Sequence, residues 1–108
     1  MIGYATIGIS DMARAQAFYD PLIGLLGGHR LHVDDRFTFY GSAPQAMLAI
    51  CTPYDGNAPS AGNGAMIALK APSRAAVDSA HAKAIELGAG CEGEPGLREP
   101  LEMQFYGA

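Results

Sequence analysis

One strand–helix pattern occurs twice in this chain, and the two copies lie roughly 60 residues apart. In the first copy, residues 4–9 alternate between apolar and other side chains, which is typical of a half-buried strand. A helix with one apolar face follows, and Gly27-Gly28 ends it. In the second copy, residues 66–70 alternate in the same way, and a helix that begins at Ser73 ends at Gly88. A repeat of this length predicts two copies of one structural unit.

The first helix is predicted from apolar residues at three- and four-residue spacing. Ser10 stands just before it and can accept hydrogen bonds from the free N–H groups of the first turn, while Asp11 suits the positive end of the helix dipole. We expect Phe18 in the core, on the face that the helix presents to its sheet. The apolar face consists of Ala15, Phe18, Tyr19, Leu22 and Leu26.

Three further strands are predicted between the two copies, at residues 29–33, 37–40 and 46–51. The last of these is almost continuously apolar, as expected for a strand covered on both faces. A Pro- and Gly-rich stretch then predicts a long loop that connects the two copies. We therefore expect a single domain over residues 1–108, with module one at about 1–52, the connector at 53–64 and module two at 65–108.

The second copy is expected to be shorter than the first. Cys91 can begin a short strand, and residues 103–106 predict a final one. Phe105-Tyr106-Gly107-Ala108 matches Phe39-Tyr40-Gly41-Ser42, which in the first copy is followed by another strand. The second module is thus predicted to lack its last strand within this sequence.

Composition narrows the class of protein. With 108 residues, 49% hydrophobic and 17% charged, the chain is expected to be globular. Its net charge is −4 and it has no basic stripe, so neither nucleic acid nor an anionic membrane is an expected partner. No apolar run is long enough for a membrane span, and no signal peptide is expected. Cys51 and Cys91 lack metal-site spacing and are predicted to be free thiols in a cytoplasmic protein.

Individual polar residues give few indications of chemistry. His29, His32 and His81 do not show metal-site spacing on one element, and His81 beside the apolar stripe of the second helix is interpreted as structural before catalytic. The Asp34-Asp35 pair is interpreted as a solvated turn. No catalytic residue is predicted.

The chain resembles the vicinal oxygen chelate superfamily, which includes glyoxalases, bleomycin resistance proteins and extradiol dioxygenases. The resemblance lies in residues 2–11, Ala15 with Phe18-Tyr19, and Leu26-Gly27, and it extends through residues 53–56, 62–64 and 71–77. It implies an α+β fold of two βαβββ modules whose curved mixed sheets surround a pocket, often completed across a homodimer.

Enzymes of this superfamily hold a divalent metal through a His on the first strand of each module and a Glu on the last strand of one or both. By position, the His sites fall on Tyr4 and Met66, and the first Glu site falls within residues 47–51, which contain no acidic residue. A thioether suits softer metals than these. The resemblance therefore implies a site without metal or other cofactor.

Three functions remain open. The favoured one is metal-free binding of a small, partly apolar molecule in the sheet cavity. The others are a metal-dependent lyase or dioxygenase of the lactoylglutathione lyase type, and a dimeric structural domain whose side chains fill the cavity. An uncovered sheet edge in module two also predicts a homodimer. Alternation assigns to the ligand pocket Tyr4, Thr6, Met47, Ala49, Met66 and Ala68.

Overall fold

The computed structural model describes residues 1–108, which divide into two compact units, Met1–Leu69 and Lys70–Ala108. The first unit has the βαβββ order that the sequence predicts, and the α+β class is confirmed. Its elements are β1 (Tyr4–Gly8), α1 (Met12–Leu25), β2 (His29–Val33), β3 (Phe37–Gly41) and β4 (Met47–Cys51).

The four strands form one mixed sheet in the order β1-β4-β3-β2. β1 runs parallel to β4, with Tyr4 opposite Met47 and Thr6 opposite Ala49. The other two pairs are antiparallel, and β2 is irregular between Arg30 and His32. β4 therefore lies inside the sheet with a partner on each side. Its residues from Leu48 onward are buried, which confirms the expectation for an apolar strand covered on both faces.

α1 packs on one face of this sheet and forms the core with it. Ile23 of the helix joins Tyr40, Leu48 and Ile50 in the buried cluster. The helix stripe that contacts the cluster is spaced by three, four and four residues, as a helix face requires: Met12, Ala15, Tyr19 and Ile23.

The prediction that Phe18 is a core residue is wrong. Phe18 is half-buried and stands outside the cluster, with its ring edge against Tyr19 at 5.0 Å between centroids. One residue is about 100° of rotation around a helix, so a core stripe that passes through Tyr19 leaves Phe18 at its flank.

The N-cap of α1 is Asp11 and not Ser10. Asp11 has extended backbone angles, and its carboxylate accepts a hydrogen bond from the backbone N–H of Arg14 at 3.0 Å. The helix ends as predicted, because Gly27 takes a φ of 85°, a left-handed conformation that a glycine adopts without strain.

The second unit is smaller and contains α2 (Arg74–Glu86), β5 (Gly96–Leu97), a 3-10 helix (Leu101–Met103) and β6 (Tyr106–Gly107). Ser73 caps α2 as predicted, since its hydroxyl accepts from the N–H of Ala76 at 3.1 Å. Gly88, with a φ of 104°, ends it. β5 and β6 form a short antiparallel pair. No helix of the chain is both long and apolar enough to cross a bilayer.

Three strand predictions for the second half need correction. Residues 66–70 form no strand and are exposed, because in the first unit the equivalent strand pairs with β4 and no strand in these 108 residues takes that part here. No strand begins at Cys91. The final strand is confined to Tyr106–Gly107, since the chain before it turns through the 3-10 helix and the left-handed Gln104.

Candidate functional site

The sheet face opposite α1 carries a cluster of aromatic side chains. Strand alternation turns Leu48 and Ile50 toward the helix and therefore turns their neighbours to the other side. The register aligns the residues of that side across three strands. We call it the aromatic face, and it consists of Tyr4 and Thr6 of β1, Phe37 and Phe39 of β3, and Met47 and Ala49 of β4.

Phe39 lies at the centre of this face. The Tyr4 ring meets it edge-on, with centroids 5.2 Å apart, and the Phe37 ring stacks on it at 5.3 Å. His32 approaches from β2 with its ring centroid 6.1 Å from that of Phe39. Edge-to-face and offset-stacked pairs hold one another in place, so the face presents a defined apolar surface.

The residues of the aromatic face differ in how far they are exposed to solvent. Ala49 is fully buried beneath its larger neighbours, whereas Tyr4 is 53% exposed. At the far end of β1, a side chain at Gly8 would come within 3.0 Å of the Pro59 side chain. The long connecting loop therefore packs on that end of the face and closes it.

Polar groups border the face on the side of β2 and β3. The Arg36 guanidinium stacks over the Phe37 ring at 4.6 Å and lies 5.3 Å from the Tyr54 ring. Its Nε donates to the carbonyl oxygen of Thr52 at 3.1 Å, which fixes its direction. The border thus offers a positive charge next to an aromatic surface.

Asp34 organises the turn that carries Arg36. Its carboxylate accepts from the N–H groups of Arg36 and Phe37 at 2.9 and 2.8 Å and lies 2.9 Å from the His32 ring nitrogen. The N–H of Arg36, then His32 and the N–H of Phe37, hold the pKa of Asp34 below its usual range. Asp34 and Asp35 are exposed in a turn, as predicted, and Asp34 also anchors the turn and holds His32 beside the face.

No protein-family model matches the sequence, and no curated protein matches it either. Among solved structures, a glyoxalase/bleomycin resistance protein from Albidiferax ferrireducens T118 superposes with a TM-score of 0.85 at 32% sequence identity, over 94% of this chain and 82% of that one. This chain belongs to the glyoxalase/bleomycin resistance protein family. A glyoxalase-like protein from Bacillus halodurans, 24% identical over 82% of this chain and 69% of that one, has the same fold with a TM-score of 0.60.

The glyoxalase/bleomycin resistance fold brings together four of the six residues predicted for the pocket. Tyr4, Thr6, Met47 and Ala49 are neighbours in the sheet register. Met66 and Ala68 lie in the exposed, unpaired segment, and Met66 is 86% exposed. The sequence prediction omitted four other residues of the face and its border, namely His32, Arg36, Phe37 and Phe39. Alternation in β3 indicates two of these, Phe37 and Phe39.

The donors present do not fit the divalent metal of the family's enzymes. A phenol stands at the first predicted metal position, Tyr4, and a thioether at the second, Met66. β4 supplies thioether and thiol sulfur but neither carboxylate nor imidazole. His32, the nearest imidazole on the face, is paired with Asp34 at the border. We derive no chemistry through a metal at this position.

A cavity of ≈ 240 Å³ lies near the end of α1 and is lined by Asp20, Gly28, His29, Arg30 and Tyr40. Arg30 donates to both carboxylate oxygens of Asp20 at 2.9 and 2.7 Å, and the Tyr40 hydroxyl donates to the same carboxylate at 2.7 Å. These polar groups form hydrogen bonds with one another. We therefore interpret the cavity as part of a structural connection between α1 and the sheet, and not as a binding site.

Proposed function

We propose that this member of the glyoxalase/bleomycin resistance family binds a small, partly apolar molecule on the aromatic face without a metal. The observation that supports this most directly is the group of rings around Phe39, on a face whose donor atoms do not suit the family's metal. The donor set of β4 argues against lyase or dioxygenase activity, because both activities in this family depend on that metal.

The chemistry of the face indicates the class of ligand. Flat rings stack on Phe37 and Phe39, and each such pair contributes about 0.5–1.5 kcal/mol beyond its buried area. Arg36 at the border favours a ligand with a negative or strongly polar group on one edge. We therefore propose a planar aromatic molecule that carries an anionic substituent.

The expected affinity follows from the size of the surface. Burying roughly 200 Å² of apolar area contributes about 5 kcal/mol. Binding costs part of this through lost translational and rotational freedom. With the contribution of Arg36 included, dissociation constants of about 0.1 mM or weaker are expected for simple probes.

2-Naphthoate is a suitable probe, since it combines two fused rings with one carboxylate. With 13C-labelled methionine methyl groups, titration should shift the resonance of Met47 on the aromatic face. Met12 on the opposite face and Met103 in the second unit serve as internal controls. Equal shifts at Met12 and Met47, or none at Met47 with millimolar probe, would contradict the proposal.

A substitution that covers the face gives an independent test. Thr6 is exposed on the face, so Thr6→Trp should obstruct the rings without emptying the core and should weaken naphthoate binding at least tenfold. Ala17→Trp, at an exposed position on α1, is the matched control and should bind like the wild type. Unchanged binding by Thr6→Trp would place the ligand elsewhere.

A further inference from the structure

Three potential metal ligands converge in the second unit. His81 stands on α2, and Cys91 and Glu94 stand in the loop that follows this helix. The Cys91 Sγ lies 3.4 Å from His81 Nε2 and 3.5 Å from a Glu94 carboxylate oxygen. All three ligand atoms lie within 4.8 Å of one another. Sequence spacing gave no indication of this cluster, because Cys91 and His81 lie on different elements and meet only in the fold.

These separations match those around a tetrahedral ion. Zinc bonds to sulfur are about 2.3 Å long, and those to imidazole nitrogen and carboxylate oxygen are about 2.0–2.2 Å. At tetrahedral angles, two such ligand atoms lie roughly 3.4–3.6 Å apart. The sulfur–nitrogen and sulfur–oxygen distances already have this value. The third separation, between the ligand atoms of His81 and Glu94, is at most 4.8 Å, which a side-chain adjustment of Glu94 can shorten.

The donor set selects the type of cation. One thiolate, one imidazole and one carboxylate suit a borderline ion such as Zn²⁺, whereas Ca²⁺ and Mg²⁺ prefer oxygen ligands alone. A thiolate and a carboxylate together also balance the charge of a divalent ion. Both cysteines of the chain are free, so the Cys91 sulfur is available for coordination.

The backbone around the three residues is held in place. The end of α2 is closed by bonds from the N–H of Gly88 to the Ile85 carbonyl and from the N–H of Ala89 to the Ala84 carbonyl, at 3.0 and 2.9 Å. Further along the loop, Arg98 Nη2 donates to the Glu94 carbonyl oxygen at 2.9 Å. Both sides of the cluster are thus positioned before any ion binds, which lowers the entropic cost of binding.

Close packing fixes the loop between the two ligands it provides. A side chain at Gly93 would come within 3.0 Å of Arg98 Nη2, the group that holds Glu94. The spacing of Cys91 and Glu94, with two residues between them, lets one short loop supply two ligands while the helix supplies the third.

We propose that His81, Cys91 and Glu94 form a site for one Zn²⁺ ion, with its fourth position open to water. Cys91 and Glu94 are exposed and His81 is half-buried, so the ion is accessible from solvent. This site is separate from the metal position of the family's enzymes, and it does not depend on the ligand proposed for the aromatic face.

Cobalt titration of the full, untagged chain tests the site, because thiolate-bound Co²⁺ gives a charge-transfer absorption that other ligands do not give. The wild type should develop this band up to one equivalent and lose it when Zn²⁺ is added. Cys91→Ser should abolish the band. His81→Gln and Glu94→Gln should each weaken Co²⁺ binding at least tenfold. Even residues that only hydrogen-bond to a metal ligand contribute this much to metal affinity.

Two control variants test whether the loss of any thiol or of any nearby carboxylate would weaken Co²⁺ binding. Cys51→Ala removes the other thiol, which is buried in β4, and Glu92→Gln removes a carboxylate from the same loop. Both should bind like the wild type, and circular dichroism verifies that every variant is folded. Absence of the band in the folded wild type, its persistence in Cys91→Ser, or an equal loss in Glu92→Gln and Glu94→Gln would overturn the proposal.

Discussion

Tyr40 is the most buried aromatic residue of the first unit, yet its hydroxyl reaches a charged partner. Only 1% of the residue is exposed, and the hydroxyl donates to Asp20 on α1. Arg30 and then Tyr40 hold the pKa of Asp20 below its usual range. Burial and the neighbouring carboxylate raise the pKa of Tyr40. One side chain thereby joins the core to an ion pair at the surface.

Tyr40→Phe keeps the ring and removes this hydrogen bond. We expect a loss of about 1 kcal/mol in the free energy of unfolding at neutral pH, because Asp20 is partly exposed and remains solvated. The pKa of Tyr40 is higher in the folded state than the ordinary value of 10.0. The Tyr40 hydroxyl therefore makes its full contribution to stability below pH 10 and a smaller one above it. The difference in free energy of unfolding between the wild type and Tyr40→Phe should narrow in alkali.

Urea denaturation across this pH range measures the effect. Tyr54→Phe is the control, since Tyr54 is 90% exposed, and it should match the wild type. A difference in free energy of unfolding that widens above pH 10 would show that folding does not raise the pKa of Tyr40.

The sequence predicts which side chains are neighbours only where the alternation of a strand or the spacing of a helix determines it. Alternation correctly groups Tyr4 with Thr6 and Met47 with Ala49. The contact between His81 and Cys91 has no such signal, because it depends on how the loop after α2 folds back. Alternation also groups Phe37 with Phe39 on β3, but their place beside β4 depends on the register between strands, which no single strand specifies.

At the scale of elements, the glycine helix ends and the strands of the first unit are predictable, whereas the strands of the second unit are not. Ser73, Gly27 and Gly88 act within one turn of chain, so local rules identify them. A strand needs a partner, and residues 66–70 have the alternation of a strand but no partner in these residues. Their pattern alone could not reveal this.

Two substitutions test which of two adjacent residues caps α1. Asp11→Ala removes the side chain that accepts from the N–H of Arg14 and should lower the free energy of unfolding by about 0.5–2 kcal/mol. Ser10→Ala, the control, should change it by less than about 0.5 kcal/mol. Thermal or urea denaturation measures both. A larger loss for Ser10→Ala would reassign the cap.

At the scale of the whole molecule, the segment of residues 66–70 presents backbone and apolar side chains to solvent. Met66 is 86% exposed, Ile67 41% and Leu69 40%. Unpaired backbone with exposed apolar side chains favours association with another chain. We propose that a second copy of the protein covers this segment in a two-fold homodimer.

Sedimentation equilibrium at micromolar concentration should then give the mass of a dimer, with an interface above roughly 1,200 Å² in total. Ile67→Lys places a charge in the segment and should shift the equilibrium toward monomer at least tenfold. Ala82→Lys, at an exposed position on α2, is the control and should leave it unchanged. A cooperatively folded wild-type monomer would contradict the proposal.

The parallel pairing of β1 with β4 also has a consequence for synthesis. β1 leaves the ribosome first, but its only partner is the last strand of the unit. β2, β3 and β4 pair with sequence neighbours and can form hairpins as soon as they emerge. At ~5–20 residues per second, about 40 residues separate the two events, which is a few seconds. We therefore expect β1 to stay unpaired during this interval of synthesis, when Tyr4 and its neighbours would be a transient target for chaperones.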